Sequence, residues 1–161
     1  MTHNDILRRI RYALDISNPK MVDIFSLAGQ RLELSDLDGL LKKDGEAGFI
    51  ECSSDQMAFF LDGLIVQRRG QKEPLPGNQA NSDVSFTNNS ILKKLRIALD
   101  LKEDDMISIM QLVDVVISKS ELSALFRNKV HKNYKVCGDQ FLRNFLKGLT
   151  IRNRNIQLHS D

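Results

Sequence analysis

The sequence predicts an all-α protein, a tandem duplication of one small four-helix unit. Three observations predict it. Sliding the chain by 85 positions aligns Thr2–Gly70 with Thr87–Asn155 without a gap, and 20 of the 69 pairs are identical. Apolar residues recur at helical spacing in each copy. No long run alternates with the period of two that marks a half-buried strand. Between the copies lies "GQKEPLPGNQANSDVSF", which holds two of the three prolines and reads as an extended linker. The predicted organisation is a first repeat over 1–70, a Pro/Gly/Asn-rich linker over 71–86, a second repeat over 87–155 and a tail over 156–161.

The first helix of the unit is predicted from about Asn4 to Asp15, with Ile6, Leu7, Ile10 and Leu14 on one face. Ile91, Leu92, Leu95 and Leu99 repeat that face, and "RYALD" at Arg11–Asp15 returns as "RIALD" at Arg96–Asp100. The second helix is predicted from about Asn18 to Ala28. Pro19 suits its first turn, and Met21, Ile24, Leu27 and Ala28 are apolar. Its counterpart opens with Glu103, Asp104 and Asp105, acids that a helix dipole favours at the N-terminus. The third begins at Ser35 and Ser120, read as caps, with Leu37, Leu40 and Leu41 inward. The fourth follows Ser53 and carries Met57, Phe60, Leu61 and Leu64, matched by Leu142, Phe145, Leu146 and Leu149. "GFIEC" and "NYKVC" before it read as briefly extended. Gly63 and Gly148 fall inside this helix, where glycine costs about 1 kcal/mol against alanine. Their recurrence points to a backbone packed close against them, or to a ligand approaching the backbone.

"NDILRRIRYALD", "AFFLDGLIVQRRG" and the duplicated layout resemble the bacterial YehS-like family of uncharacterised proteins. The resemblance covers nearly the whole chain. It implies a small soluble bacterial protein with two copies of one domain, and it carries over no activity and no site residues.

Composition narrows the function classes. Hydrophobic residues make up 42%, enough for a core. No apolar run approaches the roughly 18 residues of a membrane span, and the N-terminal stretch lacks the apolar region of a secretory signal. A cytoplasmic protein with no membrane partner is the expectation. Two cysteines, Cys52 and Cys137, are too few for a disulfide framework. They read as small buried hydrophobes, the alternative being redox sensing at a helix N-terminus.

No metal site, cofactor or catalytic residue is predicted. The chain has no CxxC, and His3, His131 and His159 have no counterparts across the repeat. It has no P-loop, no GxGxxG after a strand and no GxSxG. Polar residues shared by the copies have structural readings. Thr2/Thr87, Asn4/Asn89 and Ser35/Ser120 stand where caps belong. Arg11/Arg96 and Asp15/Asp100 are spaced to pair along a helix, the alternative being an anion clamp. Arg69/Arg154 end the last helix, where a cation suits the dipole.

A binding module is therefore the expected function, and two kinds of partner are weighed. The first is DNA or RNA. Residues 1–80 carry 10 Lys/Arg against 12 Asp/Glu, whereas 81–161 carry 13 against 9. The second and third helices outline a helix-turn-helix, with the better candidate in the second copy. Its predicted nucleic-acid contacts are Lys119, Arg127, Lys129, Lys132, Lys135, Arg152 and Arg154 for phosphates, with Tyr134 for stacking. In the first copy, Asp36 and Asp38 would repel phosphates. The alternative partner is a protein, a helix clamped between the units or a second copy of the chain, with Tyr12, Phe25 and Phe59 as candidates for an apolar groove.

Overall fold

A computed structural model describes residues 1–70 and 86–159, with side chains through Asn155. The linker expected over 71–86 lies outside the described residues except for Phe86. Among the described residues there are eight helices and no strand. They are α1 (His3–Leu14), α2 (Asn18–Leu27), α3 (Leu34–Leu40), α4 (Ser54–Arg69), α5 (Asn88–Ala98), α6 (Glu103–Gln111), α7 (Lys119–Leu125) and α8 (Asp139–His159). The last runs four residues into the stretch read as a tail.

Local chemistry sets the helix ends. Thr2, Ser53, Thr87 and Ser118 each sit in extended backbone and accept from the N–H three residues on, with the side chain there bonding back. Ser17 caps α2, followed by Pro19. Ser35 and Ser120 are not caps. Each lies inside its helix, and Glu33 (φ −82°, ψ 159°) and Ser118 (φ −80°, ψ 162°) hold the extended conformation that a cap needs. Asp15 (φ 52°) and Asp100 (φ 51°) take the left-handed conformation after α1 and α5. The N–H groups of Ile16 and Leu101 then reach back to the carbonyls of Arg11 and Arg96, both at 3.0 Å. This closes the helix in the manner usually left to glycine. The aspartate of "RYALD" is thus a backbone cap, and no ion pair with the arginine four residues earlier forms. Arg11 Nε donates to Asn18 Oδ1 at 2.9 Å, and Arg96 Nε to the carbonyl of Leu101 at 3.0 Å.

The repeats pack crosswise. Within each unit the long helix lies on the second, α4 on α2 and α8 on α6. Between units, α4 packs on α5 and α8 on α1, much more extensively than α1 on α4 or α5 on α8. The four helices α1, α8, α5 and α4 form a ring, and α2, α3, α6 and α7 flank it. One continuous core runs through both units. A Cβ built on Gly63 would stand 1.8 Å from the carbonyl oxygen of Ile24, and one on Gly148 2.3 Å from that of Ile109. The shared glycines let α4 and α8 approach the backbones of α2 and α6. Phe25 is wholly buried in this core, whereas Phe59 and Tyr12 remain exposed, so the three do not line one groove.

Candidate functional site

Most polar residues shared by the two copies build the fold. Asn4 and Asn89 do not cap helices. Each points into the core, because an amide with two donors and an acceptor fits three backbone groups there. Asn4 donates to the carbonyls of Leu40 (2.9 Å) and Ile50 (2.7 Å) and accepts from the N–H of Cys52 (2.9 Å). Asn89 does the same with Leu125 (2.9 Å), Lys135 (2.9 Å) and Cys137 (2.8 Å). The two asparagines therefore pin the loops that join α3 to α4 and α7 to α8. Burial pushes the thiols of Cys52 and Cys137 up to about 12, the carboxylate of Asp139 adding to the effect on Cys137. Both stay protonated near neutral pH, which opposes thiolate redox chemistry. Among the described residues, no three His, Cys, Asp or Glu side chains gather in a metal-ligating group.

Shared arginines reach across the repeats. Arg69 pairs with Asp100 at 3.2 Å, and Arg154 lies over the ring of Tyr12, 4.3 Å from its centroid. Neither simply caps its own helix.

The eight predicted contact residues fall into three places. Lys119 opens α7 and is exposed. Arg127, Lys129, Lys132, Tyr134 and Lys135 all lie on the loop from α7 to α8. Its turns are held by bonds from the N–H of His131 to Asn128 (2.8 Å) and of Tyr134 to His131 (3.0 Å). Arg127 also donates to the carbonyl of Asn133 at 3.4 Å, and the N–H of Lys135 to that of Ala124 at 3.0 Å. Arg127, Lys129 and Tyr134 line one cleft of about 540 Å³, and the opposite wall is the start of α5, including Lys93. Lys132 and Lys135 are exposed on the same loop. Arg152 and Arg154 stand apart on α8, where Arg152 approaches Asp105 at 3.5 Å.

The helix-turn-helix outline is not met. The segment between α6 and α7 spans 112–118, and that between α2 and α3 spans 28–33, both longer than the motif's roughly three- or four-residue turn.

Cations that the sequence reading passed over stand on α1, α5 and α8. Arg8, Arg9 and Lys147 border a groove of about 290 Å³ with Tyr12 and Thr150, and Lys93 borders the loop cleft. The 85-residue offset carries a signal for Lys147 alone, which it sets against Asp62, a charge inverted between copies, whereas Arg8 and Arg9 align with Lys93 and Lys94.

One family model matches this sequence twice, over 3–70 and 88–155, with the description "Protein of unknown function (DUF1456)". The chain belongs to that family. It is 40% identical over 152 residues to the "Uncharacterized protein YehS" of Escherichia coli (strain K12), covering 94% of this chain and 96% of that protein. No solved structure matches it. The family resemblance and the duplicated helical architecture agree with the reading of the sequence. No helix among the described residues is long and apolar enough to cross a membrane.

Proposed function

We propose that the chain is a non-enzymatic binding module that engages single-stranded nucleic acid through the loop between α7 and α8. The observation that carries this reading is the cleft shared by Arg127, Lys129, Tyr134 and Lys93. Cations track a phosphate backbone, and a tyrosine among them offers a face for a base. The first copy does not offer the same surface. Lys129, Lys132 and Lys135 align with Asp44, Ala47 and Ile50. A flexible single strand fits a loop cleft better than a duplex does, since α7, which stands where a recognition helix would, is only seven residues long.

Fluorescence anisotropy of a labelled single-stranded oligonucleotide across a salt series tests the reading. Binding is expected to weaken with a linear log–log salt slope, and the K132E/K135E double variant to bind at least tenfold less tightly. No complex at low salt, or a slope near zero, overturns it. A protein partner is the second reading, favoured by Val116 (87% exposed) and Val130 (89%), both in the second repeat. An oligonucleotide-negative protein that loses a stoichiometric partner on V130D would establish it.

A further inference from the structure

The two contacts between repeats are related by the 85-residue offset, yet their charges differ. Where α4 meets α5, Lys94 forms an ion pair with Asp62, and the side chains are 17% and 9% exposed. Where α8 meets α1, Arg9 takes the place of Lys94 and Lys147 the place of Asp62. A contact neutralised by a carboxylate on one side thus has two cations on the other. Arg9 and Lys147 are both exposed, with no ion-pair partner among the described residues. They border the same groove of about 290 Å³ as Arg8, Tyr12 and Thr150.

Two further differences make this groove more polar than its counterpart. Thr150 stands where the first copy has Ile65, and Tyr12 where the second has Ile97. Arg8 is fixed at the edge by its pair with Asp5 and by a 2.8 Å bond from Nη1 to the carbonyl of Lys42. It holds its position without drawing on Arg9 or Lys147.

We infer that the α1–α8 groove is an anion site for a phosphate-bearing ligand, held between Arg9 and Lys147. The ligand's negative charge takes the role that Asp62 plays at the related contact. Guanidinium and ammonium groups are the side chains that bind phosphate oxygens through charge-assisted hydrogen bonds, and a groove of this size admits a phosphate or one nucleotide. The site stands apart from the loop cleft and does not rest on the reading of that cleft.

Isothermal titration with pyrophosphate, at ionic strength held constant with chloride, tests the inference on the full chain. The wild-type protein is expected to bind. K147Q and R9Q are each expected to weaken binding about tenfold, the effect of losing one strong charged contact. K147D is expected to abolish binding and, without ligand, to raise the melting midpoint, because Arg9 then faces a carboxylate as Lys94 does. Absence of pyrophosphate binding to the wild type, or wild-type affinity in both K147Q and R9Q, overturns the proposal. A single-stranded oligonucleotide identifies the source of the phosphate. If K147Q weakens it too while K132E/K135E does not, the site takes a nucleic-acid backbone. If K147Q weakens pyrophosphate alone, it takes a small phosphate compound.

Discussion

Replacing Gly63 or Gly148 by alanine is expected to destabilise the protein, against the intrinsic preference of a helix. That preference favours alanine by about 1 kcal/mol. The opposing effect follows from the geometry. Ordinary contact begins near 3.4 Å, whereas the added Cβ would lie 1.8 Å from the Ile24 oxygen or 2.3 Å from the Ile109 oxygen. Relief requires α4 to move off α2 by up to about 1.6 Å, or α8 off α6 by about 1.1 Å, and the obstacle is backbone, which cannot turn aside. Overpacking of this kind costs typically 1–3 kcal/mol and sometimes more. It is aggravated here because α4 also packs on α5 and α8 on α1. With the cost at the upper end of that range and the alanine preference subtracted, the net expectation is a loss of about 2 kcal/mol for G63A and somewhat less for G148A. The melting midpoint should fall by roughly 4–8 °C for a chain of this length. Urea unfolding followed by circular dichroism measures it, with G138A as the control, since nothing lies within 4 Å of a Cβ at Gly138. Equal or greater stability in G63A would refute the close-approach reasoning.

N4A and N89A should each cost about 2–5 kcal/mol in urea unfolding, because three backbone groups, two of them buried and one part-buried, lose their partner at once. Cys52 and Cys137 should resist a thiol reagent in the native protein at pH 8 and both react in denaturant. Thiols held near 12 expose almost no thiolate, so fast native labelling of either contradicts their burial. Acid should weaken the fold. Burial lowers the pKa of His3. Hydrogen bonds from Thr2, with Arg8 nearby, lower that of Asp5 although burial opposes them, and the Asn88 amide lowers that of Asp139. These groups bind protons less tightly folded than unfolded. Stability is therefore full above about pH 6.5, and falls first as His3 protonates and again through the carboxylate range. Urea midpoints that rise from pH 7 to pH 3 would contradict that sign.

The helices were legible in the sequence because each buries one face and apolar spacing records that face directly. Ile6, Leu7 and Ile10 do so for α1, and the offset repeats them as Ile91, Leu92 and Leu95. The glycines could be read for the same reason, since a costly residue kept in two places marks a shared constraint. Asn4 was misread because a polar residue near a helix start has the same one-dimensional signature whether it caps or points inward. Asp15 was misread because helical spacing predicts side-chain pairs, while the left-handed turn that claims this aspartate is a backbone event. The loop cations could be listed from sequence, but Lys93 joins Arg127 and Tyr134 only through the packing of the loop on α5. The crosswise arrangement leaves no local trace at all, because the face α4 turns to α5 looks like any apolar helix face.

That crosswise arrangement bears on how the chain is assembled. In a lone four-helix unit, the face that α4 turns to α5 here would lie bare unless the first helix of another copy covered it. Association of two such units would tie folding to concentration. Carrying both units in one chain makes the association intramolecular. It also lifts the rule of symmetry. In a dimer of identical units, a lysine in place of the Asp62 carboxylate would appear at both junctions together. In the joined chain one junction keeps its ion pair as a structural anchor, while the other is free to turn its charge outward.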